Sequence, residues 1–196
     1  MIDDQPSFLI RQLKTISGYL KCISPMRWLK NIYPDFENPS PSLTEKYVLI
    51  CLLIEILIAL AFLAPSTGHS SIAAWVFGIL AVIRIVEIVG RIVDVTEVIS
   101  PPRTLILAGI NYVELALCFG VLYASNYQSL NGASRPITAF YFSIITQLTI
   151  GYGDVSPRGW LRLVVVVQGM LSALFVITVF ARAIAALPIH KEKDRP

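Results

Sequence analysis

The residues best placed to do chemistry are consecutive: Thr149, Ile150, Gly151, Tyr152, Gly153 and Asp154. Two glycines flank one tyrosine, and the run lies between two long apolar segments. Glycine accepts positive φ and lets backbones approach closely. Non-helical backbone is tolerated at membrane depth only where protein buries it or where it lines a watery cavity. The chemistry on offer is therefore that of carbonyl oxygens turned toward a polar occupant, and the segment reads as a pore loop. His69 and His190 belong to no metal or catalytic cluster and no nucleophile motif is present, so the chain is not expected to be an enzyme.

The run resembles the selectivity filter of the potassium-channel family, with Ile150 where valine is commonest. The mechanism is the family's: four such loops surround one axis, and carbonyls of the residues matching Thr149, Ile150, Gly151 and Tyr152, with the Thr149 hydroxyl, replace the hydration shell of K+. Gly153 completes the pattern. The resemblance implies K+ as the permeant ion, no organic cofactor, and a homotetramer, since the chain holds a single Gly-Tyr-Gly run. It extends over residues 105–187 as outer helix, pore helix, filter and inner helix. The pore helix should turn its C-terminus, which carries partial negative charge, toward a central cavity. Tyr141 and Phe142 fall where the family sets an aromatic cuff around the filter, although ordinary helix packing would use the same residues. Asp154 matches the acidic residue at the outer mouth, which concentrates cations. The chain departs from the family at Leu148, where another threonine is usual, and at Ile145, where some members carry a carboxylate behind the filter. Asp154 is expected to bond the Tyr141 hydroxyl instead. Gly169 matches a hinge glycine, where a bend is comparatively easy, or else a point of close helix packing beside Ser172 and Ala173. Gln168 is expected to face the cavity or a neighbouring subunit.

Holding such a loop takes membrane-spanning elements. The chain has 196 residues, of which 55% are hydrophobic and 15% charged, a balance far from that of a soluble domain. Apolar spans are predicted at about 47–63, 72–93, 105–123 and 163–187, with a short helix over 136–148 opened by Pro136. The expected fold is an all-α membrane protein: four transmembrane helices plus a re-entrant pore helix and filter, in a cyclic tetramer around a central pore. Residues 1–45 form a cytoplasmic arm, in which Phe8, Leu9, Leu13, Ile16 and Leu20 suit an interfacial amphipathic helix or one packed on its own protein. Residues 46–103 form a peripheral hairpin of two spans, 104–188 the pore domain and 189–196 a cytoplasmic tail. Pro101-Pro102 reads as a break and 125–135 as a polar surface loop. Tyr47, Trp75, Tyr123 and Trp160 read as interfacial anchors. No secretory signal is expected, and Cys22, Cys51 and Cys118 suggest no disulfide framework.

Lysines and arginines gather in the arm (Arg11, Lys14, Lys21, Arg27, Lys30, Lys46) and the tail (Lys191, Lys193, Arg195), while the link after the first span has none. This places both termini in the cytoplasm, in a plasma or inner membrane; Arg135, Arg158 and Arg162 dissent, near the pore loop. The partners expected are lipid and further copies, not nucleic acid.

Glu55, Arg84, Glu87, Arg91 and Glu114 lie in apolar stretches, where charges are expensive and must pair. Arg84, Glu87 and Arg91 share one helix face. Glu55 and Arg84 should lie at similar depth, about 13 Å in, and pair directly or through water, with Glu114 joining them. Two arginines interrupted by an acid suit a structural ion-pair network better than a voltage sensor. Competing functions are a nonselective cation channel, a non-conducting accessory subunit and an energy-coupled K+ uptake component; the complete filter run favours a K+-selective channel over all three.

Overall fold

A computed structural model describes residue 15 and residues 41–63, 71–93 and 101–185. The amphipathic segment expected in the arm and the basic tail lie outside the described residues, as does the side chain of Arg91. Among the described residues, five helices carry the fold: α1 (Pro41–Leu63), α2 (Ser71–Val93), α3 (Pro101–Ala124), α4 (Pro136–Gln147) and α5 (Leu161–Ala185). Their sequences are apolar for most of their length, and a helix closes its own backbone hydrogen bonds, as an apolar surrounding demands. Among the described residues, Leu105–Ala124 and Leu161–Ala181 are long and apolar enough to cross a membrane, with mean hydropathy of 2.0 and 2.5.

The two prolines expected to break the chain instead open α3. Proline is tolerated in a first helical turn, because the N–H it lacks would have had no intrahelical partner there. Arg103 consequently belongs to α3 and pairs through Nε with Glu45 of α1.

Helix α3 is the hub, in contact with each of the other four helices. Its Leu115, Cys118, Phe119, Val121 and Tyr123 form one core with Ala139, Phe140, Phe142 and Ile145 of α4, Phe62 of α1 and Ile85 of α2. Gly120 lets α4 close in: a Cβ there would strike the ring of Phe140. A smaller cluster joins Ile88 of α2 to Phe175 of α5, whose ring lies 5.2 Å from that of Tyr112.

Residues 125–135 lie mostly at the surface, as expected, but carry a 3-10 turn (Tyr127–Ser129) and a short strand β1 (Leu130–Asn131), which pairs antiparallel with β2 (Ser156–Pro157), beyond residues 149–154. Leu130 lies opposite Pro157 and Asn131 opposite Ser156, and Arg158 N–H donates to the Ser129 carbonyl at 2.9 Å. Gly132 has φ +82°, and a Cβ on it would strike the Asp154 carbonyl oxygen, so only glycine fits there without strain. The chain is thus strapped together on either side of residues 149–154. Of the four expected anchors, Trp75 and Trp160 are exposed, but Tyr123 is fully buried and Tyr47 is half-buried. Both phenols find polar partners within the protein, which outweighs a place at the surface.

Candidate functional site

The last turn of α4 and the run after it form one unit. Pro136 opens α4 from an extended Arg135. At its other end the carbonyls that a helix leaves unpaired are all engaged. Leu148 N–H donates to Ile144, Thr149 N–H to Thr146 at 3.1 Å, Ile150 and Gly151 N–H to Ile145 at 2.8 and 3.4 Å, and the Tyr112 hydroxyl to Gln147 at 2.9 Å. The negative end of α4 is therefore shared between the amides of residues 148–151 and a phenol of α3.

Thr149, Gly151 and Gly153 have φ of 57°, 55° and 81°, whereas Ile150 and Tyr152 between them do not have positive φ. In a regular strand successive carbonyls point to opposite sides. Alternating left-handed residues with ordinary ones gathers like backbone groups on one side instead. Among the described residues no donor reaches the carbonyls of Thr149, Ile150, Gly151 or Tyr152. Positive φ is natural for glycine but strained for a β-branched residue, by about 1–3 kcal/mol at Thr149. Residues 149–154 are all exposed on the single chain, Tyr152 at 70%.

A neutral hydrogen-bonded network packs behind this unit. The Gln147 amide donates to the Tyr112 carbonyl at 2.6 Å, reciprocating the bond from the Tyr112 hydroxyl. Ser143 Oγ donates to the Ala116 carbonyl at 2.7 Å. From α5, Gln168 Nε2 lies 3.0 Å from the Ser143 carbonyl, 3.0 Å from Ser143 Oγ and 3.3 Å from Gln147 Oε1. Its Oε1 accepts from the Tyr123 hydroxyl at 2.8 Å. Gln168 was expected to face a cavity or a neighbour; it is fully buried within its own chain, because these partners line one pocket between α3, α4 and α5. Tyr112, Tyr123, Ser143 and Gln147 were not singled out as site residues from sequence. Their signal was available: Ser143/Gln147 and Gln168/Ser172 are polar pairs four residues apart in apolar helices, hence on one face.

Phe142 is buried, its ring 5.1 Å from that of Tyr123 in an edge-on contact, while Tyr141 is exposed and projects from α4 on the side of Asp154. Ile145 is buried and Leu148 is exposed. Helix α5 runs unbroken through Gly169, and no atom lies within 4 Å of a Cβ built there, so close packing at that glycine does not occur within the chain.

The charged residues gather on the other side of α3. Arg84 Nη1 bonds Glu87 at 2.7 Å, and its Nη2 bonds both Glu114 oxygens, at 2.8 and 2.6 Å. Glu55 is more distant, with Oε1 at 3.6 Å from Arg84 Nε, and it accepts a 3.2 Å bond from the Cys118 thiol. Tyr47 donates to Glu87 at 2.9 Å and lays its ring 5.5 Å from the guanidinium carbon. The guanidinium fork thus serves Glu87 and Glu114 first, and Glu55 only by charge.

Residues 112–187 match a family model described as an ion channel. That segment holds most of α3, all of α4, residues 149–154 and α5, and over it the chain is similar to the pore-loop ion channel family. No curated protein and no solved structure matches the chain. This match, and the two helices of spanning length among the described residues, support a membrane protein concerned with ion transport.

Proposed function

We propose that this chain is the subunit of a K+-selective channel in which four copies, related by cyclic symmetry, bring residues 149–153 around one axis and pass K+ down its gradient. The observation that carries this is the alternation of positive φ at Thr149, Gly151 and Gly153, with the carbonyls of Thr149 to Tyr152 free of donors among the described residues. Oxygen rings of that kind can replace a hydration shell. Asp154 stands at the outer mouth, and Tyr141 and Phe142 brace the filter from α4. The exposed Ile150 and Tyr152, and the apolar side chains along α5 such as Leu163, Met170 and Ile177, suit contact with further copies. In this arrangement α1 and α2 also cross the bilayer, both termini are cytoplasmic, and Gly169 is the point at which α5 bends.

The test is ion flux through purified protein in liposomes. K+ efflux, with reversal potentials that follow K+ in mixed K+ and Na+, is the expected result. Gly151→Ala should abolish it, because a side chain at φ +55° costs about 1–2 kcal/mol in each of four copies and displaces the carbonyls. Equal passage of K+ and Na+ would make the protein a nonselective channel, and a monomer or dimer in the membrane would end the proposal.

A further inference from the structure

We propose that Gln168 is a positioning residue for the filter: its side-chain amide fixes the last turn of the pore helix, and through it the spacing of the oxygens that discriminate between cations. This rests on the channel reading above and adds to it a residue from the inner helix.

The filter rides on that turn. The amides of Thr149, Ile150 and Gly151 all bond to the carbonyls of Ile145 and Thr146. Whatever moves the turn moves the filter. The turn is held on two sides, toward α3 by the reciprocal Tyr112–Gln147 pair and toward α5 by Gln168. The two N–H groups of the Gln168 amide serve three acceptors, Ser143 O, Ser143 Oγ and Gln147 Oε1, so their geometry is over-determined. The amide oxygen is in turn fixed by Tyr123, which ties the arrangement back to α3. Gln168, Ser143 and Tyr123 have no exposed surface and Gln147 is 2% exposed, so water does not compete for these bonds. Removing the amide leaves the Tyr123 hydroxyl and Gln147 Oε1 without a partner in an apolar pocket, and they can regain one only by moving. Groups that bind a small ligand selectively must be held to within about 0.5 Å by such supporting bonds.

The full chain in liposomes tests this with Gln168→Met, which keeps the length and bulk of the side chain and removes the amide. Ser172→Ala is the control: that serine is equally buried, but its hydroxyl bonds only to the Gln168 carbonyl of its own helix. Gln168→Met should assemble as the parent does by size-exclusion chromatography, yet its K+ over Na+ flux ratio should fall at least about fivefold, the factor carried by one net hydrogen bond of about 1 kcal/mol lost in one of two competing states. Hydrogen exchange at Ile150 and Gly151 should speed up in parallel. Ser172→Ala should change neither. An unchanged flux ratio in assembled Gln168→Met overturns the proposal. Should that variant not assemble, Tyr123→Phe removes one bond from the same amide and decides by the same ratio. Should the parent protein itself carry no K+, the channel reading fails; exchange at Ile150 and Gly151 then decides the positioning role, and unchanged protection in Gln168→Met overturns it.

Discussion

Two buried polar regions hang on α3, and they are built on opposite terms. Behind residues 149–153 the groups are neutral, and every side-chain nitrogen and oxygen of Tyr112, Tyr123, Ser143, Gln147 and Gln168 has a hydrogen-bond partner. On the peripheral side the groups are charged, and two atoms, Glu55 Oε2 and Arg84 Nε, have none. Neutral hydrogen bonds are directional and short in reach, so a closed set of them specifies one geometry. Charges attract over distance, so Glu55 is held at 3.6 Å without a fixed register. The contrast shows where this protein is held with precision: the last turn of α4, beneath residues 149–153, is located by bonds, whereas α1 and α2 are tethered to α3 by attraction.

The largest loss is expected from Arg84→Met. It leaves Glu87 and Glu114 without the cation between them, in a setting where an uncompensated buried charge costs about 3–5 kcal/mol. Thermal unfolding in detergent should show a large loss of folded, assembled protein. A double-mutant cycle sharpens it: Arg84 should couple more strongly to Glu114 than to Glu55, and the reverse order would contradict the bonding described above. Tyr112→Phe comes next. It removes the donor to the last α4 carbonyl but leaves the Gln147 bond to the Tyr112 backbone, so about 1 kcal/mol of stability should be lost. Its effect should appear in hydrogen exchange around the filter rather than in assembly. Glu55→Gln should matter least, within about 0.5 kcal/mol, because an amide of the same shape still accepts from Cys118 and gives up no guanidinium hydrogen bond. A loss at Glu55 as large as that at Arg84 would show that the cluster acts as one rigid unit, and the distinction between the two regions would fall.

Much of the site was legible from local chemistry. A Gly-Tyr-Gly run between apolar segments needs no partner to be noticed, and the five charges are conspicuous in such apolar helices. What was misread depended on distant residues. Gln168 looked like a cavity residue because its partners lie 25 and 45 positions away, at Ser143 and Tyr123. Tyr123 looked like an interfacial anchor for the same reason. The pairing within the surface segment 125–135 was not legible because its strands are only two residues long, too short to leave an alternating pattern. Pro101 looked like a break because proline ends helices and begins them with the same residue.

The amino-acid order by itself determined the helical spans, the place of the non-helical run between them, and the presence of glycine where a left-handed backbone is easy. Each of these follows from short-range rules of hydropathy and φ. Only the tertiary structure decided that Thr149 joins the two glycines at positive φ, that Gly132 passes beneath the Asp154 carbonyl, and that Arg84 gives its hydrogen bonds to Glu87 and Glu114 before Glu55. These outcomes depend on which groups are brought within about 3 Å of one another, and hydrogen bonding falls off too steeply with distance for spacing along the chain to foretell it.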